Sequence, residues 1–292
     1  EIYGNIGKMR NRARDLERNE TYVGKWLTEL RNNVVGDKGI ILKSEPRGAD
    51  GSIDALAKSA IEWAWYHQNK RENYNVNKRM DGTQTDSMVL ASAARDGETF
   101  VRIVKGYSNK FKFAVQILES DHLDDQFFGT APNGNEIRMG IEIDQYLVPQ
   151  AYWLTQTHPG DNFVTMRHNG RARIRIPAGE IIHVYKPTRA GQTRGYSWLA
   201  AAMQAIKMLG AYEETELVAA RVAAAKGGFF TSKSGQDYGP TNPDNPDEPF
   251  SMELEPGTFE QLPTDMEFQD YNPTHPTTQV AEFRKAGLRR IA

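Results

Sequence analysis

A chain of 292 residues, 25% charged and 39% hydrophobic with a net charge of −2, is long enough for one substantial core or two modest ones and too apolar for a disordered chain. It has no cysteine, which excludes disulfides and thiolate-bound metals. No apolar run approaches the roughly 18 residues of a membrane-spanning helix.

The chain opens at Glu1 without Met and stops inside a helical pattern at Leu288 to Ala292, so both ends read as cut. Residues 8–35 read as helical, with Met9, Leu16, Val23, Leu27, Leu30 and Val34 recurring at three-, four- and seven-residue steps. Arg10, Arg12, Arg14, Arg18 and Arg31 decorate this segment, and Gly36 and Gly39 end it. A second helix is expected over 52–67, with Ser52 as its cap and Ile53, Leu56, Ala60 and Trp63 as one apolar face. A third covers 84–94.

From Gly97 the pattern turns to β. ETFVRIVKGY and KFKFAVQILES alternate, Asn133-Gly134 signals a hairpin, and ARIRIP and EIIHVYK flank a turn at Pro177-Ala178-Gly179. The region 97–187 therefore reads as six to eight short strands in a small barrel or sandwich. With helices before it and after it, the fold class is α+β.

The stretch from Ser197 to Lys226 then reads as one long helix in which ten residues are alanine. Continuous, it would be about 45 Å long at ~1.5 Å per residue. Trp198, Leu199, Met203, Ile206, Leu209 and Tyr212 form a stripe over its first half, fading to Leu217, Val218 and Val222. Small residues on several faces let such a helix pack against neighbours on both sides, which suits a ring of subunits. Beyond it the charge becomes uneven. Between Gly227 and His275 ten acids meet a single base, Lys233, a net −9 against +7 for the rest of the chain. Four prolines in YGPTNPDNPDEPF forbid a helix, SMELEPGTFEQLP suits a hairpin around Pro256-Gly257, and a last helix starts at Thr277.

A search for chemistry finds no constellation. There is no phosphate-binding glycine loop, no nucleophile elbow and no pair of histidines at metal spacing among the six. The run Asp121-His122-Leu123-Asp124-Asp125 has the carboxylates a hard cation wants, but a solvated turn is the plainer reading. His183, among apolar strand residues, reads as a satisfied, half-buried histidine. The acid pairs Glu213-Glu214 and Asp247-Glu248 fall on a helix surface and in a proline-rich loop. Arg284, Lys285, Arg289 and Arg290 cluster on the last helix, where Lys285 and Arg289 share a face able to meet phosphates.

Several segments, in order, resemble the lambda-type portal proteins of tailed phages. They are MRNRARDLERNETYVGKWLTELRNNVVGDKGIIL, AARDGETFVRIV, RIPAGEIIHVYKPTRAGQTRGYSWLAAAMQAI and LEPGTFEQLPTDMEFQDYNPTHPTTQVAEFRKAGLRRIA. The resemblance implies a wing over 1–195, a first stem helix over 196–226, a clip over 227–275 and the start of a second stem helix over 276–292. A closing wing helix, channel loop and crown would follow. It further implies a ring of copies, usually twelve, at one capsid vertex, through which double-stranded DNA enters and leaves. The implied partners are the terminase large subunit, a head–tail adaptor, the major capsid protein and scaffold. Neither a cofactor nor an enzymatic activity is implied. The implied location is the virion, with assembly in the host cytoplasm.

On that reading Asp237, Asp244, Asp247, Glu248, Glu253, Glu255 and Glu260 form an acidic collar on the clip. The basic residues Arg284, Lys285, Arg289 and Arg290 approach DNA in the channel. Trp198, Leu199, Met203, Ile206, Tyr212, Val218 and Val222 pack the stem between subunits. One alternative is a nucleic-acid-binding β-barrel module using Tyr152, Trp153 and Arg171 to Arg175. Another is a carbohydrate-active β-sandwich enzyme, which the absence of a catalytic constellation disfavours.

Overall fold

A computed structural model describes residues 2–160, 172–224, 228–232, 266–270 and 279–291, and the chain falls into two units, 1–203 and 204–292. The architecture is mixed helix and sheet.

In the first unit the expected helix over 8–35 is two helices, α1 (Ile6–Asn19) and α2 (Thr21–Val34). Glu20 is extended between them (φ −112°, ψ 113°), although its N–H still closes on the Leu16 carbonyl at 2.8 Å. That one residue turns the chain so that Ile6, Ala13 and Leu16 of α1 and Val23 and Leu27 of α2 are all buried. Next come α3 (Ala55–Gln68) and the short α4 (Arg71–Tyr74). Asp54, not Ser52, caps α3: its carboxylate accepts from the backbone of Leu56 and Ala57, both at 3.0 Å. The fifth helix, α5 (Gly82–Asp96), has a capping box between Asp81 and Gln84 and ends on Gly97 in the left-handed region at φ +95°. Both α1 and α2 pack on α5.

Eight strands follow among the described residues, in two antiparallel sheets. One has the order β2-β1-β8, with β1 Glu98–Lys105, β2 Phe113–Leu118 and β8 Ile181–Tyr185. The other runs β3-β4-β5-β6-β7 in sequence order: Gly129–Thr130, Glu136–Arg138, Ile141–Ile143, Pro149–Thr155 and Arg173–Pro177. The Asn133-Gly134 turn joins β3 to β4 as its sequence requires, with Gly134 at φ +85°. Ala178–Glu180 carries the chain from the five-stranded sheet to the three-stranded one. Phe100, Leu118 and Ile181 of one sheet and Ile141, Ile143, Tyr152, Leu154 and Ile176 of the other share a single core with Leu123. Among the described strands neither sheet closes on itself into a barrel.

The second unit holds α6 (Met203–Ala224) and α7 (Val280–Ile291), with a two-stranded antiparallel ribbon of β9 (Gly228–Ser232) and β10 (Met266–Asp270). The Tyr212 and Phe283 rings lie 4.6 Å apart, Arg284 Nε is 4.0 Å from Glu213 Oε1, and Gly287 sits against Leu209. From Leu209 to Tyr212 along α6 the partner on α7 steps back from Gly287 to Phe283, so the two helices run antiparallel. The long helix begins at Met203 rather than Ser197, and its described part, Met203–Ala224, is about 33 Å long at ~1.5 Å per residue. Residues 198–202 form turns instead. The Trp198 N–H is drawn to the Ala94 carbonyl at 3.0 Å, and the Ser197 hydroxyl accepts from Leu199 N at 3.2 Å.

Candidate functional site

The first residue of β1, Glu98, is a carboxylate with no access to solvent, and it is matched by an equally buried Arg194. Arg194 places Nε 2.8 Å and Nη2 2.5 Å from Glu98 Oε1, while Nη1 donates to the carbonyls of Met139 (2.8 Å) and Leu123 (3.3 Å). The other carboxylate oxygen accepts from Gly195 N at 2.9 Å and lies 3.1 Å from His183 Nε2. Burial favours the neutral acid, but the charge of Arg194 and the hydrogen bonds from His183 and Arg194 outweigh it and hold Glu98 well below the usual carboxylate range. His183 is thus a partner of Glu98.

The backbone around this pair is equally confined. A Cβ on Gly97 would lie 2.2 Å from the Tyr196 carbonyl carbon, and one on Gly195 would lie 2.1 Å from the Gly97 oxygen. Two glycines crossing at this distance explain why Arg194-Gly195 and Gly97-Glu98 are adjacent pairs. The knot ties together the end of α5, the start of β1, β8 and the segment that leads into α6.

A second cluster adjoins it. Asp96 is gripped by Arg14 (3.0 and 2.9 Å) and Arg95 (both 2.8 Å), and Arg95 also reaches Glu17 at 2.7 Å. Asp121 binds Arg10 at 2.9 Å and Arg14 at 2.6 Å. So two of the arginines on α1 point inward, to carboxylates of the same chain.

These pairs also answer the cation question. Asp121 is held by arginines, Asp124 by Arg173, and His122 Nδ1 lies 3.0 Å from the Thr155 carbonyl. Glu119, Asp121 and His158 do approach within 4.8 Å of one another. Arg14 already bridges the two carboxylates there, at 3.3 and 2.6 Å. The guanidinium occupies the electrostatic place a cation would take.

Asp96 and Asp121 sit below the ordinary carboxylate range, since arginine contacts overcome the opposing effect of burial. Glu142 is pulled down to about 2, chiefly by its hydrogen bond from Arg175. Carboxyls lowered in the folded state contribute stability that is complete above their unfolded values and is lost as pH falls below them. Tm is therefore expected to be level from about pH 5 to 8 and to drop steadily below about pH 4. Thermal melts across that range test this, and a Tm unchanged down to pH 3 would contradict it.

The expected site residues are dispersed. Arg284, Lys285, Arg289 and Arg290 are all exposed on α7. Leu199 and Ile206 are buried, Met203 and Tyr212 are half-buried, and Trp198 and Val218 are exposed; the Val222 side chain lies outside the described residues. Asp237, Asp244, Asp247, Glu248, Glu253, Glu255 and Glu260, with the hairpin expected at Pro256-Gly257, also lie outside them. The basic groove of the β-barrel alternative is not formed by the described residues. Arg173 and Arg175 are bound to Asp124 and Glu142, and Tyr152 is buried beside Phe100. No helix among the described residues is long and apolar enough to cross a membrane.

The family model described as "Phage portal protein, lambda family" matches residues 1–292. The chain belongs to the lambda family of phage portal proteins. A "Probable portal protein" of Halomonas phage phiHAP-1 is 36% identical over 294 residues, covering 100% of this chain and 56% of that protein. This portal chain thus spans little more than half the length of that relative. Among solved structures it is similar to the neck of a native gene transfer agent particle computed with C12 symmetry, at TM-score 0.53 and 12% identity over 96% of this chain and 66% of the other. The neck of an empty particle computed with C6 symmetry gives TM-score 0.55 and 13% identity, over 100% and 69%. Portal proteins are structural rather than enzymatic, and in this one the buried Glu98, Asp96 and Arg194 are paired within the chain.

Sequence reading missed the Glu98–Arg194 pair. The available signal was a carboxylate opening an apolar strand in GETFVRIV and an arginine preceding the glycine of RGYSWL, two charges at the edges of buried segments.

Proposed function

We propose that this chain forms the wing, first stem helix and clip of a portal subunit, and that copies close into a ring of twelve at a capsid vertex. Double-stranded DNA passes through the ring, inward during packaging and outward at infection. The match of the portal family over the whole chain supports this most directly. The wing is 1–195 and the first stem 196–226, of which α6 is the helical part. The clip is 227–275, entered and left through the β9–β10 ribbon, and 276–292 opens the second stem helix as α7. The two sheets of the wing act as a small sandwich around their shared core. Assembly in the host cytoplasm precedes residence in the virion. The terminase large subunit and head–tail adaptor dock on the clip, and the capsid protein and scaffold surround the wing.

Neighbouring stems meet through the exposed apolar residues of α6, Met208, Leu217 and Val218, since an uncovered apolar face on a helix needs a partner. Repeated around a ring, the acids of 237–260 make a collar to which DNA does not adhere. The exposed Arg284, Lys285, Arg289 and Arg290 make a band that attracts it. Native mass spectrometry with end-on class averages tests the reading: a closed ring of about a dozen copies supports it, and a monomer at high concentration refutes it. Within such rings, Lys285→Glu with Arg289→Glu is expected to leave ring yield intact and to lower DNA-filled particles on the order of tenfold. Normal packaged genome length and yield in the double variant would remove these residues from the channel.

A further inference from the structure

Helix α1 carries cations in two sets. Arg10 and Arg14 are met by Asp121 and Asp96 of the same chain. Lys8 and Arg12, one turn apart, are exposed and make no ion pair among the described residues. Like charges four residues apart on a helix repel, and here no described carboxylate relieves them. Both side chains line a cleft of about 720 Å³ in the first unit, where Arg138 and Arg189 bring the cations to four and no aspartate or glutamate joins them. Glu136 holds Arg138 at 2.6 and 2.8 Å from outside that lining, which still leaves an excess of positive charge. The opening turn of α1 faces the same space and contains no acid. Four other clefts lack this character. The one at Ile40 and Trp65 sets three cations against four carboxylates, and the one at Arg10 and Arg173 sets two against three. The one at the Asn133-Gly134 turn has two carboxylates and no cation, and the one beside Tyr152 has neither aspartate, glutamate, lysine nor arginine.

We propose that the cleft at Lys8, Arg12, Arg138 and Arg189 binds a phosphate group, carried either by a nucleic-acid backbone or by a small phosphate compound. A concave wall of one sign concentrates counter-charge. Three of the four cations are arginines, whose planar forks match phosphate oxygens two at a time. A phosphate also brings up to about two charges and three acceptor oxygens on one centre, whereas each carboxylate of an acidic peptide brings one charge. Several cations converging on one space therefore suit phosphate better. Such a site belongs to a single copy, with or without the ring.

Calorimetric titration of pyrophosphate into the protein in its natural length, at fixed ionic strength, is expected to show one saturable site per copy. Lys8→Gln with Arg12→Gln should weaken it at least about tenfold, through the loss of two charge-assisted contacts. Without ligand the Tm of that variant should not fall, because the pair has only repulsion to lose. Lys105→Gln with Lys112→Gln, at exposed cations outside the cleft, should leave the binding unchanged. A short DNA duplex then separates the two sources. Displacement of pyrophosphate by the duplex supports a nucleic-acid backbone as the occupant, and retention of pyrophosphate supports a small phosphate compound. Absence of saturable binding, binding indifferent to Lys8→Gln with Arg12→Gln, or an equal loss from the lysines outside the cleft overturns the proposal. Oligoglutamate that displaces pyrophosphate and binds more tightly overturns it too, by giving the cleft to an acidic protein segment.

Discussion

Arg194→Leu is expected to lower the unfolding free energy by about 3–5 kcal/mol, because it strands a buried carboxylate without its main partner. In the folded chain Glu98 has no access to solvent, and Arg194 alone brings it two hydrogen-bonding nitrogens while satisfying the carbonyls of Met139 and Leu123. For a unit of this size the loss corresponds to a fall in Tm of about 10 °C. Arg194→Lys should recover little, since one ammonium cannot reproduce a fork that reaches three elements at once. Adding Glu98→Gln to Arg194→Leu should recover more than about 1 kcal/mol by removing the stranded charge. Calorimetry on the parent, both single variants and the double variant checks all of this. A Tm for Arg194→Leu indistinguishable from the parent would mean that the pair does not hold the first unit together.

Gly97→Ala is expected to be of similar severity for a different reason. The new Cβ would stand 2.2 Å from the Tyr196 carbonyl carbon and 2.3 Å from its Cα, and neither is the end of a flexible side chain. The left-handed backbone at φ +95° adds its own penalty. Together these should cost about 3–5 kcal/mol, from about 1–2 for the conformation and the rest for overpacking. Gly106→Ala isolates the two terms: Gly106 is also left-handed, at φ +72°, but nothing stands within 4 Å of its Cβ position. That control should lose only about 1–2 kcal/mol. Equal losses at the two positions would show that the backbone crossing contributes nothing.

Local signals in the sequence located most elements and missed those made by distant contacts. The Asn133-Gly134 turn was legible because it needs a particular backbone conformation that its residues provide. The break at Glu20 was not, since Asn19-Glu20-Thr21 contains neither glycine nor proline. The late start of the long helix was hidden for the same reason: the bond that diverts it comes from Ala94, a hundred residues earlier in about the same neighbourhood as Glu98. Periodicity found the stripe on α3, but it cannot say whether the chain covers it, and Leu56 is 85% exposed. The Glu98–Arg194 pair lies beyond any window of hydrophobic pattern. The family resemblance included both residues within its quoted motifs without revealing that they touch. The acids of 237–260 were legible as a charge excess, and their arrangement is not described by the structure.

The ribbon of β9 and β10 has a consequence for how such a chain can change over time. Residues 233–265 leave from Ser232 and return at Met266, which are paired across the ribbon. Adjacent strands stand about 4.8 Å apart, so the two ends of that segment are fixed whatever lies between them. Once its ends are held, doubling the length of an intervening segment costs only about 0.6 kcal/mol in closure entropy. Insertions, deletions and wholesale exchange at this point need not disturb the helices on either side. Recombination between related viruses could therefore swap the segment as a cassette without redesigning the protein that carries it.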